Sequence, residues 1–142
     1  MKNNKGFSLV ELIIVIAIMA ILVGVMAPQL IKYIEKTNVS SDTQLADTCK
    51  SALTTAMMDP AVVTVSGYTQ PSSGTFASGF ANSALNAAVE ETLGCSLSAI
   101  NGKLKSKGAN GISYDVINSN QVRITITGSH ADAKSGPEIV VE

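Results

Sequence analysis

The chain has 142 residues, 46% of them apolar, 4% aromatic and none Trp, with a formal net charge of −1. A total so near neutrality argues against nucleic acid or an anionic membrane face as a partner. Once about 30 residues are committed to an apolar N-terminal run, about 110 remain, enough for one small domain with a thin core.

Residues 1–6 form a short polar leader carrying Lys2 and Lys5. An apolar run follows. From Leu12 to Ile31 no residue carries a formal charge, and all are Leu, Ile, Val, Met or Ala except Gly24, Pro28 and Gln29. As a helix this run is roughly 30 Å long, the thickness of a bilayer's hydrocarbon core. A secretory signal would have a shorter apolar region and a small-x-small cleavage site. Ala17-Ile18-Met19-Ala20 matches such a site weakly, and cleavage there would leave an apolar stump.

Glu11 stands just inside the N-terminal edge of the run. An isolated carboxylate there costs a few kcal/mol in lipid and marks a functional residue. It either takes a cationic partner or caps a helix terminus at the water interface, favoured by the macrodipole.

The stretch Lys5-Gly6-Phe7-Ser8-Leu9-Val10-Glu11-Leu12 resembles the prepilin signature of the type IV pilin and pseudopilin family, and Pro28 lies at that family's usual place. The resemblance covers about the first 30 residues. It implies that a membrane prepilin peptidase cuts between Gly6 and Phe7 and N-methylates Phe7. Cleavage would give Glu11 a partner, the α-ammonium of Phe7, four residues away on one helix face or on a neighbouring subunit. An intermolecular pair would fix axial register, because sliding would strand both charges in lipid. Gly24 and Pro28 weaken the helix between Ala20 and Pro28, and the family analogy implies loss of helical order there in filaments.

Beyond Gln29 the helix is expected to continue, with Lys32, Glu35 and Lys36 marking its exit from the membrane and residues 37–42 prone to fray. Leu45, Cys49, Ala52, Leu53, Ala56 and Met57 form one apolar stripe, with Asp42, Asp47 and Lys50 off it. Asp59-Pro60 ends the helix. Residues 61–65 read as a short β-prone run and residues 66–81 as a loop, with at least two of Tyr68, Phe76 and Phe80 tucked beneath it. A second helix is expected from Asn82 or Ser83 to Leu93, stopped by Gly94, with Glu90 and Glu91 solvated. Residues 97–111 read as loop, with Lys103, Lys105 and Lys107 on a solvated turn. Residues 112–117 and 121–127 alternate as an antiparallel hairpin, residues 128–136 form a loop, and residues 138–141 a last strand.

Cys49 and Cys95 are either one disulfide or two buried free thiols. A bridge outside the cytoplasm would close a loop of about 45 residues and contribute about 3–4 kcal/mol.

The sequence carries no pattern for catalysis, metal or cofactor. His130 stands beside Asp132 without a second His, Glu90 and Glu91 point to different sides of a helix, and a cation held between Asp115 and Asp132 is only a remote alternative. No enzymatic activity is therefore expected.

The expected fold is α+β, a long N-terminal helix on an antiparallel sheet of three or four strands. The expected division is a cleaved leader (1–6), a transmembrane and filament-core helix (7–31) and a head (32–142). The expected function is a pilin-like subunit of a surface filament for adhesion, motility or uptake. Its expected partners are copies of itself, other pilins, the prepilin peptidase/N-methyltransferase, an inner-membrane assembly platform and, before assembly, membrane lipid. Its expected place is the cytoplasmic membrane, head outward, then the cell surface. The rivals are a pseudopilin of a secretion or competence system and an unprocessed membrane-tethered binding module.

Overall fold

The computed structural model describes residues 6–118, 121–128 and 139–142. It divides into two units, Met1–Ile34 and Glu35–Glu142. Helix α1, Leu9–Met58, contributes to both.

In the first unit every described residue is exposed. The helix runs through Gly24 and Pro28 without a break. Among the described residues, no atom outside the helix's own neighbouring backbone lies within 4 Å of where a Cβ on Gly24 would be. Pro28 has no N–H to give the carbonyl one turn earlier, which leaves one rung missing from the ladder.

In the second unit the remainder of α1 stays helical through residues 37–42, with no fraying. Its buried residues are Asp42, Ala46, Cys49, Ala52, Leu53, Ala56 and Met57. The stripe is therefore the expected one with two changes. Ala46 takes the fully buried position and Leu45 packs at its margin. Asp42, expected off the stripe, is completely buried, because backbone donors from another element meet it there.

Residues 61–65 correct the expected β-prone run. They fall in and just after a single helical turn, α2, Pro60–Val63. Asp59 caps it by accepting the Ala61 N–H at 2.8 Å, and Pro60 supplies a preset φ at the first helical position. The local cap prevails over the β-branched composition. The expected loop at 66–81 contains strand β1, Ser73–Thr75, and a 3-10 turn at Phe76–Ser78. Phe76 and Phe80 are buried, as expected of two of the three aromatics. Helix α3, Ser83–Leu93, starts at the Asn82 cap, whose Oδ1 accepts from the Ala84 and Leu85 N–H groups, and ends at left-handed Gly94. Residues 97–103, expected as loop, form a 3-10 helix that buries Leu97 and Ile100.

Strands β2, Ala109–Asn118, and β3, Gln121–Gly128, make the hairpin, pairing Ile112 with Ile126, Tyr114 with Ile124 and Val116 with Val122. Strand β4, Ile139–Val141, pairs with β3. The sheet is a four-stranded antiparallel meander in the order β1-β2-β3-β4. Ile112, Tyr114, Val122, Ile124, Ile126 and Ile139 are its buried residues and share one core cluster with the α1 stripe. The chain is thus α+β, with a long helix on an antiparallel sheet. Residues 119–120 of the hairpin link, most of the 128–136 loop with His130 and Asp132, and Glu138 of the last strand lie outside the described residues.

Candidate functional site: the apolar helix and its capped start

Glu11 belongs to a capping box. Ser8 precedes the first helical residue, and its Oγ accepts the Val10 N–H at 3.4 Å. Glu11, three residues on, reaches back with Oε2 to accept the Ser8 N–H at 2.9 Å. Two of the N–H groups that a helix start leaves unpaired are satisfied in this way. The signal Ser8-x-x-Glu11 is present in the sequence, and the bond corresponds to the capping alternative expected for Glu11, made directly to a backbone amide and not through the macrodipole alone. The capping bond uses Oε2 and the amide of Ser8. Cleavage before Phe7 would leave that amide intact and Oε1 open to a cation.

Gly6 and Phe7 precede the helix. Phe7 is 86% exposed and Gly6 is likewise exposed, so the peptide bond between them is accessible. From Leu9 to Ile34 the large apolar side chains are all exposed. The helix is long and apolar enough to cross a membrane, and its most apolar window is not covered by the rest of the chain. Such a surface is stable only in lipid or against other helices.

In the head, Cys49 is buried and Cys95 half-buried, both as free thiols, and Cys95 packs against the core that contains Cys49. Burial pushes the Cys49 thiol up to about 12, the neighbouring Cys95 adds to the rise, and Lys103 opposes it. Burial in this way makes the Cys49 thiol a poor nucleophile.

Two helix carboxylates hold the turn that carries the lysines. Asp42 accepts the Lys105 N–H on Oδ1 and the Ser106 N–H on Oδ2, each at 2.9 Å, together with the Ser106 hydroxyl. Glu35 accepts the Lys107 N–H at 2.7 Å. Lys103, Lys105 and Lys107 have exposed side chains, as a solvated turn requires. Glu90, expected to be solvated, is half-buried and accepts the Leu97 N–H at 2.8 Å, tying α3 to the following 3-10 helix. Glu91 is exposed, as expected. Asp115 is exposed on β2. Among the described residues no group of three or more His, Cys, Asp or Glu is placed to hold a metal.

An exposed apolar helix with a capped start, continuing into a small sheet-bearing head, is the arrangement expected of a pilin-type subunit. The prokaryotic N-terminal methylation motif matches residues 1–27. A fimbrial protein of Moraxella nonliquefaciens is 44% identical over 55 residues, which is 39% of this chain and 36% of that protein. The chain thus spans little more than a third of the length of that curated relative. No solved structure matches the chain. The motif and the fimbrial relative support a likeness to the type IV pilins, and the long apolar helix with an antiparallel sheet is consistent with that likeness.

Proposed function

We infer that the chain is cut between Gly6 and Phe7, methylated on the Phe7 amine and assembled through α1 into a surface filament. The observation that carries this reading is an apolar helix exposed along its whole first unit, with one carboxylate at its start. Before assembly the helix crosses the cytoplasmic membrane with Lys2 and Lys5 inside and the head outside. Assembly exchanges lipid contacts for helix contacts, so its specificity must come from packing and from the Glu11 carboxylate meeting a Phe7 ammonium. The partners on this reading are copies of the chain, other pilins, a prepilin peptidase/N-methyltransferase and an inner-membrane assembly platform. The segment around Gly24 and Pro28 is the part of α1 that yields when the filament is stretched.

On the same reading Cys49 and Cys95 become a disulfide once the head is outside the cytoplasm. The two thiols give up two protons and two electrons to a thiol–disulfide oxidoreductase. Their shared core cluster and mutual electrostatic influence support this.

Mass spectrometry of the N-terminus tests the proposal. A chain beginning at Phe7 and carrying one extra methyl group supports it. An intact Met1, or a cut beyond Ala20, overturns it and leaves a membrane-tethered module. Electron microscopy of cells with and without the gene reads assembly directly.

A further inference from the structure

A cavity of about 240 Å³ opens in the head between the segment leading into β1, the start of α3 and Tyr114 of β2. Phe80 and Leu85 supply apolar lining, and Gln70, Ser73 and Asn82 supply neutral polar groups. No residue lining it is charged.

Tyr114 is the unexplained residue. It is only 7% exposed, and its ring is packed against Phe76 and Phe80, with centroids 5.6 and 5.0 Å away. It pairs across the sheet with Gly74 and lies so close that a Cβ on Gly74 would come within 2.8 Å of the hydroxyl. An aromatic ring covering a cross-strand glycine is a common sheet device. That accounts for the ring and not for the oxygen, since Phe would pack as well. Among the described residues the hydroxyl has no hydrogen-bond partner, and it lines the cavity. The oxygen is not sealed from solvent, so it is open to water or to a ligand. Burial also raises its pKa, so it remains a protonated donor.

Asn82 has the complementary character. Its Oδ1 is occupied by the Ala84 and Leu85 N–H groups. Its Nδ2 carries two further donors with no partner among the described residues. The Ala84 and Leu85 amides at the start of α3 are already taken by Oδ1, which leaves fewer α3 donors for an anion. The uncharged lining with hydroxyl and amide groups suits a neutral ligand rich in hydroxyl groups, and the volume limits it to about one ring, since the cavity is smaller than those that hold drug-sized molecules.

We propose that this cavity binds one neutral hexopyranose unit, its hydroxyls meeting the Tyr114 hydroxyl and Asn82 Nδ2 and a C–H face resting on Phe80 and Leu85. The sugar is either free or the end residue of a surface glycan. The site lies wholly in the head and does not depend on filament assembly.

The test is saturation-transfer NMR on the full chain in detergent micelles, using methyl β-galactopyranoside, methyl α-mannopyranoside and methyl N-acetyl-β-glucosaminide, with glucuronate as the charged comparison. At least one neutral glycoside is expected to bind and glucuronate to bind more weakly. Tyr114→Phe keeps the ring, and Asn82→Asp keeps the helix cap while removing the amide donors. Each should weaken binding by about five- to tenfold, with circular dichroism unchanged. An array of neutral oligosaccharides separates the sources: signal on a matching terminal residue marks a glycan end, and glycoside binding without array signal marks a free sugar. No binding at tens of millimolar, preference for glucuronate, or undiminished binding by both variants overturns the proposal.

Discussion

Asp42 on α1 and Ser106 in the turn before β2 are joined twice, through the Ser106 N–H at 2.9 Å and through its hydroxyl. Asp42 also takes the Lys105 N–H, so a fully buried carboxylate serves as receptor for successive backbone amides 63 and 64 residues away in sequence. Charge-assisted bonds of this kind are stronger than neutral ones. Replacing Asp42 with Asn would turn an amide NH2 toward one of these donors and leave it unsatisfied. Asp42→Asn should cost about 2–4 kcal/mol of head stability, read as a lower urea midpoint with an unchanged slope. Glu35→Gln, at a half-buried position, should cost well under half as much.

That junction also marks the limit of what the sequence discloses. The α1 stripe, the α3 caps at Asn82 and Gly94, and the alternating strands of the hairpin are legible because periodicity and capping are local. Asp42 was not, because a carboxylate three or four residues from Leu45 and Ala46 reads as solvated until a distant turn supplies its donors. The same holds for Glu90 and for β1, a three-residue strand whose existence depends on pairing with residues 113–115. Of the candidate site, the apolar run, the Gly6-Phe7 junction and Glu11 were plain in the sequence. The capping role of Glu11 is one of its two expected readings, and the Ser8 amide that receives it is equally local in the sequence.

Gly128 closes β3 at φ +147°, where a Cβ would lie 2.1 Å from the Gly108 carbonyl oxygen. Both the backbone conformation and the space exclude a side chain. Gly128→Ala should therefore destabilise the head by about 3 kcal/mol or more. Gly102→Ala, whose Cβ meets nothing within 4 Å, should change stability little. Parallel urea titrations of the two variants make the comparison.

The Cys49 thiol gives the head an alkaline limit. Its folded value is raised from the ordinary 9.0 to about 12 by burial and by Cys95, so the neutral form is the one the fold holds. Its stabilising contribution is complete below pH 9, where the unfolded thiol is also neutral. It falls as pH rises through 9 toward 12, because only the unfolded chain can then ionise. Under reducing conditions the loss should be about 1.4 kcal/mol for each pH unit above 9. Cys49→Ala should show a shallower decline between pH 8 and pH 10.5, although its starting stability is lower. In the reduced, folded protein, thiol labelling at pH 8 should modify half-buried Cys95 well before buried Cys49. If the reduced protein labels both at one rate, the burial argument fails.

Glu11 carries two separable duties, and substitutions can distinguish them. The capping bond to the Ser8 N–H needs only an acceptor oxygen, whereas pairing with a Phe7 ammonium needs a charge. Glu11→Gln retains the first and loses the second; Glu11→Ala loses both. If charge pairing governs assembly, both variants should insert and be cut normally, and both should reduce sheared filament yield by about tenfold or more, since a lone ammonium left in an apolar bundle costs several kcal/mol. If capping governs, Glu11→Gln should assemble as well as the parent and only Glu11→Ala should fail, with a cost near the 0.5–2 kcal/mol of a lost cap, roughly two- to thirtyfold. Immunoblots of membrane and sheared fractions, with the N-terminal mass measured in each, decide between the two. A Glu11→Gln variant that forms filaments at parental yield removes the register argument and leaves the carboxylate as a helix cap.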